Sequence, residues 1–269
     1  MFSNPRHNEL SVAAIVSVSM VLLIAVVTRL APQGEVSQTA EQLSHPITVF
    51  PDFASINDVI VKKQQFFDYL EDYIIAENEK IAAIRQELEP YAAIANSGVA
   101  FSRREREWVL ELANAYRIDT AVLSDREIVN ELMLRVDEIP VSMALAQAAN
   151  ESAWGTSRFA LEGNNIFGEW CYDEGCGIVP LRRASGATHE VQRFESIEES
   201  ISSYFLNINT HNSYRYLREL RADMRASGRP LNPMTLAMGL GRYSQRGDNY
   251  VDEVQNIILQ NDLRNRDSG

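Results

Sequence analysis

The sequence predicts an α+β domain in which a mostly helical body carries a small β-hairpin lobe, with a cleft between the two. Three segments open with a serine followed three residues later by a glutamate, the reciprocal capping pattern that starts a helix: Ser102 with Glu105, Ser124 with Glu127 and Ser196 with Glu199. From Glu169 to Phe194 the helical period gives way to short β-type runs, broken by the turn residues Asp173-Glu174-Gly175 and Ala184-Ser185-Gly186. With 269 residues, 45% of them hydrophobic, the chain has ample apolar material for a buried core.

Leu10 to Thr28 contains no charged residue and approaches the roughly 20 residues that cross a bilayer as a helix. Residues 1–30 therefore read as a membrane anchor or signal segment. No Ala-x-Ala site follows Arg29, which favours an anchor that is kept. Residues 31–50 are polar, lack an apolar period and read as a flexible tether. Residues 51–100 read as a helical extension, with Ile56, Val59, Ile60, Phe66, Phe67, Leu70 and Ile74 at helical spacing, Ser55 and Asp58 at its start and Pro90 at its end. Residues 101–264 form the main domain, whose first two helices offer Trp108, Leu110, Leu112 and Leu132 to the core.

The stretch from Pro140 to Gly168 is where chemistry is expected. Pro140 suits a helix start, and Val141, Ala144, Leu145 and Ala148 repeat at the spacing of an amphipathic helix. Gly155 supplies its stop. On the same wheel Glu151 falls about 20° from Ala144, at the edge of the apolar stripe. A carboxyl held against apolar neighbours such as Trp154 keeps its proton to higher pH, as a general acid must. An ion-paired helix-end residue fits the spacing equally well.

The string ALAQAANESAWGTSRFALEGNNIFG resembles the signature of the endo-β-N-acetylglucosaminidase-like peptidoglycan hydrolases, glycoside hydrolase family 73, and within them the Bax-type proteins, from Pro51 to about Leu259. The resemblance implies a lysozyme-like fold, glycan strands of peptidoglycan as the partner, no cofactor, and Glu151 as the catalytic acid. It implies that Asn165, Phe167 and Gly168 line the cleft beside Trp154. It also implies a tyrosine facing the acid near the C-terminal end, with Tyr243 as first choice and Tyr250, which reads equally as helix packing, as second. Tyr214 is either a packing residue or a ring on which sugar stacks.

A general acid is half of an inverting glycosidase, and the other half is a carboxylate that activates water. Many family members are thought to carry that glutamate on the hairpin, where this chain has Arg182 or Arg183. Glu190 is the nearest substitute, with Asp173, Glu174 and Glu195 behind it. A relocated base, help from the substrate's own N-acetyl group, a transglycosylase-like route and an inactive wall-binding scaffold all stay open. Cys171 and Cys176, the two cysteines, straddle the first turn and in an exported domain would form a disulfide. A zinc site would need two more ligands, and His7, His45, His189 and His211 do not cluster about them, so no metal is expected. The net charge of −12 argues against a nucleic-acid partner. These readings together describe a single-pass inner-membrane protein whose catalytic domain faces the periplasm.

Overall fold

A computed structural model describes residues 50–181, 183, 186–244 and 246–267. The segment read as an anchor and nearly all of the tether lie outside them. Among the described residues no helix is long and apolar enough to cross a membrane.

A 39-residue helix, α1 (Val59–Ser97), runs along the body and buries Phe66, Phe67, Leu70, Ile74, Ile81 and Leu88. Asp58 caps it by accepting from the amides of Ile60 and Val61. Pro90, expected to end the helix, sits inside it, and the stop comes at Gly98 with a left-handed φ of 76°. A mid-helix proline costs about 3 kcal/mol. Here the turns around it are held by packing, since Tyr91 stacks on Trp108 at 4.7 Å and meets Phe101 edge-on.

The two expected capping boxes open α2 (Arg103–Ala115) and α3 (Asp125–Arg135). The core of α2 differs from expectation: Val109 and Ala113 are fully buried, whereas Trp108, Leu110 and Leu112 pack at its edge. Leu132 is buried as expected.

Helix α4 (Val141–Glu151) is the centre of the fold. Its neighbours include α1, α8 (Pro233–Ala237), α9 (Asp248–Gln260) and the C-terminal 3-10 turn Leu263–Asp267. It is not an amphipathic surface helix, because every residue from Val141 to Ala149 is buried. Pro140 is its N-cap rather than part of its first turn, and the cap bonds come from far along the chain. Asp267 accepts from the Ser142 amide at 2.8 Å and the Ser142 hydroxyl at 2.7 Å.

The connection from α3 into α4 is fixed by a buried charge network. Asp137 meets Arg225 of α7 (Arg215–Ala226) at 2.7 Å, and Arg85 and Arg221 at 3.6 Å each. Burial alone would raise the Asp137 carboxyl, but Arg221, Arg225 and Arg85 hold it below its ordinary value. Arg221, 1% exposed, also donates to the carbonyls of Leu134, Arg135, Asp137 and Glu138. One guanidinium thus ends α3 and sets the angle at which α4 begins.

After the short helix α5 (Arg158–Gly163) the chain forms the β-lobe from β1 (Trp170–Cys171), β2 (Gly177–Ile178) and β3 (Glu190–Gln192). The strand order is β1-β3-β2, all antiparallel. Only β2 and β3 make the hairpin read from the sequence, and β1 joins the far edge of β3. The Cys171–Cys176 disulfide closes the loop between β1 and β2. Helix α6 (Ile197–Thr210), capped by Ser196, returns to the body and lies against α1.

Candidate active site

Glu151 ends α4, and the backbone beyond it is unusual: Ala153, Trp154 and Gly155 take φ values of 50°, 60° and 74°. Two non-glycine residues in succession in the left-handed region are costly and persist only where the surroundings fix them. Ser152 supplies part of that fixation, donating to the Ala148 carbonyl at 2.6 Å and accepting from the Gly155 amide at 2.8 Å. Gly155 is also locked by packing, because a Cβ there would stand 2.7 Å from the Phe53 ring. Trp154, expected beside Glu151, is held by aromatic neighbours from α1. Its ring packs edge-on against Phe67 and Phe66 at 5.3 and 6.0 Å, with the Lys63 ammonium 4.5 Å over it.

The Glu151 side chain is 21% exposed, and its Oε1 is buried with no hydrogen-bond partner. Burial pushes its carboxyl above the ordinary value. The Tyr250 hydroxyl and the Arg246 guanidinium, 3.9 Å away, pull against that rise, while Glu253 adds to it. Arg246 is itself tied to Glu253, which also accepts from Asn150 at 3.2 Å. Gly168, at φ 68°, brings its backbone against the acid, its Cβ position lying 3.5 Å from Glu151 Oε2.

Behind the acid runs a relay of neutral groups. The Tyr204 hydroxyl donates to Gln147 Oε1 at 2.6 Å, and Gln147 Nε2 donates to the Tyr250 hydroxyl oxygen at 3.0 Å. That leaves the Tyr250 proton free to point at Glu151. Tyr250 stacks on Tyr243 at 5.2 Å, Tyr243 meets Tyr214 at 5.8 Å, and Tyr204 stacks on Phe167 at 3.8 Å. The Tyr243 hydroxyl is spent on the Phe167 carbonyl at 2.8 Å. Of the two C-terminal tyrosines, Tyr250 therefore faces the acid, and Tyr243 braces it and the NNIFG turn.

Several expected substrate contacts turn out to build the cleft from behind. Asn165 is 1% exposed and uses its amide on the Glu169 and Gln192 carbonyls and the Glu169 amide, tying the turn to β3. Phe167 is buried under Tyr204. Tyr214 is buried beside Tyr243.

Glu190, expected as the water-activating base, has other work. It is 6% exposed, and its two oxygens accept from the amides of Gly175 at 3.3 Å and Gly177 at 2.8 Å. A carboxylate so occupied holds the disulfide loop onto β3. Glu190→Gln is accordingly expected to leave turnover nearly unchanged while faster hydrogen exchange at the Gly177 amide reports a loosened loop, since one acceptor is lost at about 1–3 kcal/mol.

Glu169 is a carboxyl that the sequence does not single out. Its Oε2 is buried without a partner. Burial pushes this carboxyl up to about 7, against the pull of Ser203, Asn207 and Arg117. Between its ordinary value of 4.5 and about 7 the folded chain keeps a proton that the unfolded chain releases, so stability falls as pH rises through that window, by about 3 kcal/mol in all. No group of three or more His, Cys, Asp and Glu side chains among the described residues could hold a metal ion.

The chain resembles known proteins along most of this architecture. The family model described as mannosyl-glycoprotein endo-beta-N-acetylglucosaminidase, the glucosaminidase family, matches residues 126–263, from α3 to the last 3-10 turn. Protein bax of Escherichia coli strain K12 is 31% identical over 202 residues, covering 74% of this chain and 70% of that one. The catalytic domain of the autolysin Auto from Listeria monocytogenes aligns over 88% of this chain and 99% of its own at 15% identity, with a TM-score of 0.41 too low to bear on the fold. A helical body, a small antiparallel lobe and a partly buried glutamate at the end of the central helix are the parts of a glycoside hydrolase of the lysozyme-like α+β class. Within that class the chain belongs to the glucosaminidase family.

Proposed function

We propose that the protein is a membrane-tethered peptidoglycan hydrolase that cleaves N-acetylglucosaminyl-β-1,4 bonds, with Glu151 as the general acid. The observation that carries this reading is the state of Glu151. Its carboxyl closes a helix buried from Val141 to Ala149, keeps one oxygen unpartnered, and is pushed by burial above the ordinary carboxyl value. A carboxyl whose proton is held to higher pH can protonate the bridging oxygen of a glycosidic bond as it leaves. Tyr250, its proton aimed at the same carboxyl, stabilises the carboxylate that remains.

Two features support placing the domain on the wall side of the inner membrane. A disulfide between Cys171 and Cys176 persists in an oxidising space, and the apolar run from Leu10 to Thr28 suits an anchor that leaves the domain on the wall side of the inner membrane. The net charge of −12 does not hinder a polymer recognised through hydroxyls and amides. The assay is release of soluble glycan fragments from purified peptidoglycan by the full chain in detergent. Steady release supports the reading, and intact sacculi after prolonged incubation overturn it.

A further inference from the structure

We propose that residues 50–55, just ahead of α1, are a positioning element for the acid: the Phe50 and Phe53 rings clamp the loop that follows Glu151 and so fix where its carboxyl stands. This rests on the hydrolase reading above. It goes beyond that reading by giving part of the reaction machinery to residues outside 126–263, the span that matches the glucosaminidase family.

Glu151 is the last residue of α4, so its place is set by the helix on one side and by the chain reversal after it on the other. That reversal holds Ala153, Trp154 and Gly155 in the left-handed region, where the Cβ of the first two is disfavoured. Its own hydrogen bonds are local. The Trp154 amide donates to the Ala149 carbonyl and the Ser157 amide to the Ser152 carbonyl, each at 2.9 Å, which shapes the loop without fastening it to another element.

The fastening comes from rings on the N-terminal side of the chain. A Cβ on Gly155 would stand 2.7 Å from the Phe53 ring and 2.8 Å from the Phe50 ring, so both lie directly on its backbone. Asp52 folds this segment locally, accepting from the Ala54 amide at 3.1 Å while its carbonyl accepts from the Ser55 hydroxyl at 2.8 Å. The resulting 3-10 turn, Phe53–Ser55, sets the two buried rings edge to face at 5.4 Å. Phe53 also meets Phe66 of α1 at 5.5 Å, and Phe66 meets Trp154 at 6.0 Å. Two successive left-handed residues are thus held, Gly155 by the segment itself and Trp154 by the helix it packs on. Strain beside a reacting group persists where the geometry it sets is used. A shift of about 1 Å in such a group can cost about 10²-fold in rate.

The test measures kcat and KM of the full chain in detergent on glycan strands of purified peptidoglycan. It compares Phe53→Ala and Phe53→Leu with Leu88→Ala, a truncation of a buried side chain of α1 about 33 Å along the helix axis from Phe66. Phe53→Ala is expected to lower kcat by about 10–100-fold with KM little changed. Phe53→Leu, which keeps apolar bulk but has no ring, is expected to fall between, at about 3–10-fold. Leu88→Ala is expected to lower the melting midpoint at least as far as Phe53→Leu does and to leave both kinetic constants at wild-type values. Where Phe53→Ala fails to fold, the comparison of Phe53→Leu with Leu88→Ala decides. Wild-type kcat in a folded Phe53 variant overturns the proposal, and so does a loss carried by KM alone or an equal loss of kcat in Leu88→Ala. Failure of the unaltered chain to cleave at all defeats the hydrolase reading, and the proposal with it.

Discussion

Glu151→Gln is expected to lower glycan cleavage by about 10²–10⁴-fold while leaving binding of the sacculus and the melting midpoint at or above those of the unaltered chain. The amide keeps the length and most of the hydrogen-bonding capacity of the carboxyl but has no proton to give. It also removes the cost of a charge in a place where burial disfavours one, since Oε1 is buried and unpartnered and the carboxyl is pushed up by desolvation. Stability and activity therefore move in opposite directions, which separates a catalytic group from a structural one. The pH dependence follows the same logic. Activity that needs the protonated acid persists above the ordinary carboxyl range and is lost as pH rises through the elevated value of Glu151. A Gln variant with turnover near wild type would remove Glu151 from the chemistry.

Arg221→Ala is expected to cost about 3–5 kcal/mol of folding stability. The side chain is 1% exposed and donates to four backbone carbonyls at the junction of α3 and α4. Its removal also takes from the buried Asp137 carboxylate the first of the cations that hold it ionised, leaving Arg225 and Arg85. Denaturant unfolding should show the midpoint falling sharply with the slope unchanged. A loss below about 1 kcal/mol would mean that the junction, and with it the placement of α4, is held by something other than this guanidinium.

The local parts of this fold are legible in the sequence, and the parts that depend on distant partners are not. Ser102, Ser124 and Ser196 announce their helices because a cap bond spans only three residues. Pro90 misleads because the end of α1 is decided by Tyr91 stacking on Trp108, across a chain reversal that no local rule contains. The order β1-β3-β2 is likewise invisible, since strands of two or three residues carry no register of their own.

The site divides the same way. Glu151 stands out because a charged residue on a buried helix is conspicuous. Gln147, one turn earlier on the same face, carries a similar signal and could have been read beside it. That Tyr250 rather than Tyr243 faces the acid is set by how α9 rotates against α4, and Glu190 is tied to its loop only once β3 pairs with both of its neighbours. Neither fact has a signature in spacing.

The measurement that bears most directly on the proposed chemistry is the identity of the new ends made when the full chain digests purified peptidoglycan. Borohydride reduction followed by mass analysis distinguishes three outcomes. The account predicts reducible N-acetylglucosamine termini, because water is the acceptor and the glucosaminyl bond is the one cut. Reducible muramic termini would contradict the bond assigned, and non-reducible 1,6-anhydro-muramic termini would contradict the reaction, since a ring closed by the sugar's own hydroxyl uses no water.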